Sequence, residues 1–147
     1  PLDLERDGYD HGVFGVEELR DLMTLAQTDP HGLADLFIEQ MLVDESPAVE
    51  RRLFDEISRV PPPIKSAILF DQSVRDYRDV LGEVDVPTLV CLGADETLLE
   101  TAGVEYVAER TPDADLERFA NSGHCPFIEE PERFNRVVSA FIEDRCQ

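Results

Sequence analysis

Basic residues are scarce in this chain. Thirteen Lys and Arg stand against 33 Asp and Glu, a formal net charge of −20, and Lys65 is the only lysine. So acidic a surface repels phosphate backbones and anionic headgroups, which argues against nucleic acid or a membrane surface as partner. It suits a high-salt cytoplasm, where screening relieves self-repulsion, and equally an ordinary acidic enzyme. Cysteine is nearly as sparse. Cys91, Cys125 and Cys146 are odd in number, widely spaced and form no Cys-x-x-Cys pair, so neither a disulfide framework nor a zinc site is expected. Reduced thiols in a cytoplasmic protein are the expectation. No stretch approaches the ~20 apolar residues of a membrane span, and no basic leader precedes an apolar run, so no secretion signal is read. His11 and His31 have no third partner at ligand spacing, so no metal is expected, and no motif calls for an organic cofactor.

What is present is the balance of a globular protein: 42% hydrophobic and 31% charged residues, in a chain long enough to bury a core. No internal repeat or low-complexity tract interrupts it. The stretch from Pro1 to Gly15 reads as loop. Val16, Leu19, Leu22, Met23 and Ala26 then recur at helical spacing and predict a first helix. Asp29-Pro30 is a start signal for a second, with Leu33, Phe37 and Met41 inward. Ser46-Pro47 opens a third, carrying Val49, Leu53 and Ile57. The prolines at 61–63 end it, and a fourth pattern runs through Ile64, Ile68 and Leu69 towards Val74. Val80 and Leu81 fall in a short helical turn. Beyond Gly82 the pattern changes. Residues 86–92 are continuously apolar and end at Gly93, as in a strand buried on both faces of a parallel sheet. A helix around Val104, Val107 and Ala108 follows, then a shorter strand at Leu116–Phe119. Pro131 opens a last helix with Phe134, Val137, Val138, Phe141 and Ile142 on its apolar side. Strand, helix, strand, helix predicts an α/β sheet.

Two features carry chemistry. His124 lies between the second strand and a helix, and imidazole is the usual general base near neutrality. A histidine that merely caps a helix is the plainer reading of that residue alone. Asp95 and Glu96 follow the first strand, and a carboxylate there can orient an imidazole and stabilise its cation. In a chain with 33 acids, a solvated acidic loop is the plainer reading. Together they are more specific. Acid after one strand and histidine after the next are the last two members of a nucleophile–acid–base order.

The segment Asp85-Val-Pro-Thr-Leu-Val-Cys-Leu-Gly93 and the segment Ser122-Gly-His-Cys-Pro-Phe-Ile-Glu-Glu-Pro-Glu-Arg-Phe-Asn135 resemble the late strand and histidine loop of cap-bearing, esterase-like α/β-hydrolases. Asp76-Tyr77-Arg78 resembles the lead-in of one subgroup. The resemblance covers residues 76–147; residues 1–75 share only helical character and position with a cap. It implies an α/β fold with residues 1–82 as a helical cap-like segment and residues 83–147 as the last two strands and helices of the core. By the same resemblance His124 is the triad base. The acid is Glu96, at the family's usual spacing from the strand-ending glycine, with Asp95, one residue earlier, as the other candidate. The family's Gly-x-Ser-x-Gly nucleophile turn has no counterpart in residues 1–147. Ser66, Ser73, Ser122 and Cys125 occupy unsuitable contexts. The nucleophile and oxyanion hole are therefore expected from a segment before Pro1 or from another chain.

The implied activity is hydrolysis of a small-molecule carboxylic ester, in which this chain supplies base and acid. The alternative is a non-catalytic, truncated hydrolase that dimerises or binds a partner. Two parallel strands with open edges need covering, so a complementary N-terminal half or a second copy is the expected partner.

Overall fold

The computed structural model describes residues 8–43 and 46–145; Cys146 lies outside the described residues. Two compact units divide the chain. The first contains residues 1–40 and 44–76, and the second residues 41–43 and 77–147.

The first unit is helical, with α1 (Val16–Thr28), α2 (Pro30–Met41), α3 (Pro47–Ser58) and α4 (Pro62–Val74); the last residue of α2 belongs to the second unit. Local chemistry sets the helix starts. Glu18 reaches back to accept the Gly15 N–H at 3.0 Å. The Asp29 carboxylate accepts the Gly32 N–H at 2.9 Å, while Pro30 takes the first position, where its missing N–H costs nothing. Pro62 and Pro63 likewise begin α4, so the proline run that closes one helix also opens the next. Ala26, Leu33 and Leu69 form the core of the unit, ringed by Leu19, Leu22, Met23, Leu25 and Phe37.

Two faces differ from the helical periodicity. Val16 is exposed at the very start of α1. On α4 the buried residues are Lys65, Ser66, Leu69 and Ser73, while Ile64 and Ile68 face solvent. The reason is polar. The Ser66 hydroxyl donates to Met23 O at 3.2 Å and accepts from the Gln27 amide at 3.4 Å. Lys65 Nζ donates to Pro30 O at 3.4 Å. Small hydroxyl groups let α4 lie close against α1, and hydrogen bonds outweigh the apolar pattern in choosing the face.

The second unit is built on a parallel βαβ arrangement. A turn of helix, α5 (Arg78–Leu81), leads to β1 (Thr88–Gly93), α6 (Thr101–Arg110), β2 (Ala114–Phe119), the short α7 (Pro126–Glu129) and the long α8 (Pro131–Arg145). β1 and β2 pair in parallel from Thr88 opposite Ala114 to Gly93 opposite Phe119. Parallel neighbours require a crossover of this length, and α6 supplies it. β1 starts two residues later than the apolar run, because Pro87 has no N–H to give a ladder. Its burial is also one-ended: Leu92 and Gly93 are buried, Thr88 to Cys91 only half-buried, and Val86 exposed. Full burial on both faces would need further strands, and among the described residues the sheet has two. Phe119 at the end of β2 is fully buried, worth about 1.5–3 kcal/mol, and packs on Phe134 of α8 with ring centroids 5.8 Å apart. Ile142, expected inward, is exposed. The far end of α8 is held instead by Arg145, which bridges Asp113 and Asp115.

Candidate functional site

Both strands of the βαβ unit end in loops at the same edge, and the two loops touch. Gly93 is the point of contact. A Cβ built on it would lie 1.9 Å from Gly123 O and 2.3 Å from Ser122 O, so only glycine lets the backbones approach this closely. Main-chain hydrogen bonds then join the loops: Ala94 N–H donates to Phe119 O at 2.8 Å and Asp95 N–H to Ser122 O at 3.0 Å.

This junction brings Glu96 and His124 together. His124 Nδ1 lies 2.7 Å from Glu96 Oε2. The Glu96 side chain is 4% exposed and the imidazole 30% exposed. The other carboxylate oxygen of Glu96 accepts the N–H groups of Leu98 at 2.7 Å and Leu99 at 3.2 Å. One side chain thus closes its own turn and meets the ring, a local side-chain-to-backbone device that acidic residues favour outside helices. Burial works against ionisation of Glu96, but the His124 bond and the two peptide N–H groups outweigh it and hold the carboxyl below its usual range. With Nδ1 engaged by Glu96, Nε2 is the nitrogen left for proton transfer.

Asp95, the neighbouring candidate, is exposed. Its peptide N–H, not its carboxylate, engages the histidine loop. Cys125 is buried, and its thiol is pushed up to about 11 by burial and by the nearby carboxylates of Glu129 and Glu96. A thiol so disfavoured as thiolate is a poor nucleophile. Ser122 is fully buried and donates to Glu130 at 2.8 Å. Ser66 and Ser73 lie in the helical unit, bonded to the Met23 and Leu69 carbonyls. His11 stacks edge-on to Tyr9 and His31 to Phe54. Among the described residues no cluster of three His, Cys, Asp or Glu could hold a metal, and no helix is long and apolar enough to cross a membrane.

Sequence reasoning did not single out the residues that build the histidine loop. Glu129 accepts the N–H groups of Gly123 at 2.9 Å and Cys125 at 3.2 Å. Glu130 accepts the N–H of Asn121 at 3.0 Å as well as the Ser122 hydroxyl. Arg133 in turn donates to Arg118 O at 2.7 Å and to Glu117, with its guanidinium 4.4 Å above the Phe119 ring, a favourable cation–π distance. Glu129 and Glu130 lie within an ordinary acidic stretch, so composition offered no contrast to pick them out.

No family model matches the chain. It is similar to AB hydrolase superfamily protein YisY of Bacillus subtilis, 29% identical over 145 residues, which is 96% of this chain and 53% of that protein. A shorter stretch of 57 residues is 42% identical to the pimeloyl-[acyl-carrier protein] methyl ester esterase of Aromatoleum aromaticum, covering 39% of this chain and 23% of that protein. In three dimensions the chain superposes on a hydrolase from Oleispira antarctica with a TM-score of 0.85 at 20% identity, over 98% of this chain and 54% of that one. The chain therefore spans about half the length of the full-sized proteins that it follows from end to end.

Proposed function

Because this chain carries about half of an α/β-hydrolase fold, we propose that it is the base-and-acid portion of an esterase-type hydrolase acting on a small carboxylic ester. His124 is the general base and Glu96 the acid that orients it. Residues 1–82 serve as a cap-like segment and residues 83–147 as part of the core. The nucleophile and oxyanion donors come from outside residues 1–147. The observation that carries the reading is the 2.7 Å contact between His124 Nδ1 and a Glu96 carboxylate that is 4% exposed. Support for ester chemistry comes from the esterase among the sequence relatives.

In the proposed cycle Glu96 holds the proton on Nδ1, so that the Nε2 lone pair faces the nucleophile. Nε2 takes the hydroxyl proton as that oxygen attacks the ester carbonyl. The imidazolium, stabilised by Glu96, returns the proton to the departing alkoxide. Nε2 then deprotonates water as it attacks the acyl-enzyme and passes that proton to the nucleophile's oxygen as the acyl bond breaks, which releases the carboxylic acid and restores both groups. Glu96 stays ionised throughout, which suits its depressed carboxyl.

The test is hydrolysis of short-chain p-nitrophenyl esters by the chain alone and after co-expression with the N-terminal half of a hydrolase relative. Activity should arise only in the combination. It should fall about a hundredfold or more in Glu96→Gln and further in His124→Ala. Undiminished turnover in His124→Ala would refute the reading.

A second reading, a non-catalytic module that dimerises or binds a partner, is favoured by one observation. Ile64, Ile68 and Phe70 of α4, and separately Phe127 and Ile142, are each about half exposed, apolar surface that a partner would cover. Light scattering discriminates here, since a stable monomer at micromolar concentration would count against it.

A further inference from the structure

The loop that carries His124 is irregular, so its peptide groups need partners that no strand or helix supplies. Three consecutive N–H groups matter most. Gly123 and Cys125, one on each side of the histidine, donate to the same oxygen, Glu129 Oε2, at 2.9 and 3.2 Å. The N–H of His124 itself goes elsewhere, to Met41 O at 3.0 Å. Met41 belongs to the short segment 41–43 that groups with the second unit. The other Glu129 oxygen, Oε1, accepts the Val43 N–H of that segment at 2.8 Å. A single carboxylate therefore holds both flanks of the histidine directly and its own N–H at one remove. The fit is close on the other side too: a Cβ on Gly123 would meet Met41 O and Val43 Cγ2 at 3.2 Å each. The single turn of α7 bends Glu129 back over the loop, since the N–H groups of Ile128 and Glu129 both donate to Cys125 O.

We propose that Glu129 is the positioning residue of this site, its one carboxylate clamping the peptide groups around His124 so that Nδ1 is presented to Glu96. This rests on reading His124 and Glu96 as base and acid. Glu129 touches neither ring nor substrate; it acts through the backbone of residues 123–125 and 41–43. A charged acceptor is required, because it must satisfy three donors and each N–H to carboxylate bond is about twice as strong as its neutral counterpart. Glutamine keeps the shape but has one acceptor oxygen, so its NH2 group must oppose either Val43 or the Gly123–Cys125 pair.

The test uses the isotope-labelled 147-residue chain and NMR. In the unmodified protein the amides of Val43, Gly123, His124 and Cys125 should exchange at least about tenfold slower than unstructured peptide, and the His124 ring nitrogens should report the Nδ1–H tautomer. In Glu129→Gln those amides should lose protection by about tenfold and the ring should become a tautomer mixture, with α1 and α4 amides unchanged. A merely structural contact would loosen the amides without moving the tautomer, so a ring still wholly Nδ1–H in Glu129→Gln overturns the proposal. Should that variant fail to fold, the unmodified chain decides: protection of Gly123 and Cys125 supports the clamp and peptide-like exchange refutes it. Failure of the underlying reading looks different. It shows as a His124 tautomer that is mixed in the unmodified chain and indifferent to Glu96→Gln, while the amide protection still reports on Glu129.

Discussion

Replacing Gly93 by alanine is the sharpest perturbation available, because the obstacle is backbone and not a movable side chain. The added Cβ would stand 1.9 Å from Gly123 O, where ordinary contact begins near 3.4 Å. The loops must therefore separate by about 1.5 Å, the difference of those two distances. A shift of that size stretches the Ala94 to Phe119 and Asp95 to Ser122 hydrogen bonds, now 2.8 and 3.0 Å, beyond useful length. Two such bonds contribute about 1 kcal/mol each. Leaving buried carbonyls unpaired adds a similar amount, so Gly93→Ala should destabilise the chain by about 2–4 kcal/mol. Urea unfolding followed by circular dichroism measures this, with the midpoint shifted at unchanged slope. The same displacement moves Glu96 from His124, so the Nδ1–H tautomer should be lost even under conditions where the variant stays folded. A Gly93→Ala protein within about 0.5 kcal/mol of the parent, with its His124 tautomer intact, would refute the claim that the two loops are locked by close backbone approach.

Stability should also depend on acid. Glu96 has its carboxyl depressed in the folded state, despite burial, by His124 and the Leu98 and Leu99 N–H groups. Glu130 is depressed chiefly by the Ser122 hydroxyl, then against a burial cost by Asn121 and Arg133. A depressed carboxyl stabilises the fold above the unfolded pKa, near 4.3, and that contribution is lost as pH falls through the lower folded value. Unfolding midpoints should therefore drop below about pH 4.5, and Glu96→Gln should flatten the drop; equal slopes in both proteins would refute the assignment. Cys125, with its thiol near 11, should react with iodoacetamide at neutral pH at least about tenfold more slowly than a free thiol, read by mass spectrometry of the labelled peptide. Rapid labelling of the folded protein would contradict the buried environment.

Much of the architecture was legible because it depends on local pattern. Asp29-Pro30 and Ser46-Pro47 mark the starts of α2 and α3, period-3.6 apolar spacing marks the helices, and a continuous apolar run followed by glycine marks β1. The order strand, acid, helix, strand, histidine could be written from the chain alone, and so could the two candidates for the acid. The spacing from Gly93 in the family resemblance favours Glu96, but composition and strand order do not separate it from Asp95, since adjacent residues differ in where the turn aims them. The turn sends the Glu96 side chain under its own Leu98 and Leu99 amides towards the ring and leaves Asp95 in solvent. The buried face of α4 was equally beyond the pattern, because Lys65 and Ser66 are chosen by carbonyls of α1 and α2 that only folding brings near.

Chain order alone determined that an acid would follow one strand and a histidine the next, because parallel strands joined by a helix put their C-terminal loops at one edge. Tertiary structure decided which carboxylate meets the imidazole and what holds it there. The contacts of Gly93 with residues 122 and 123, and of Glu129 with residues 43, 123 and 125, span up to 86 positions of sequence. No local propensity encodes such pairings; they follow from which backbone donors are left unsatisfied once the strands and helices have formed.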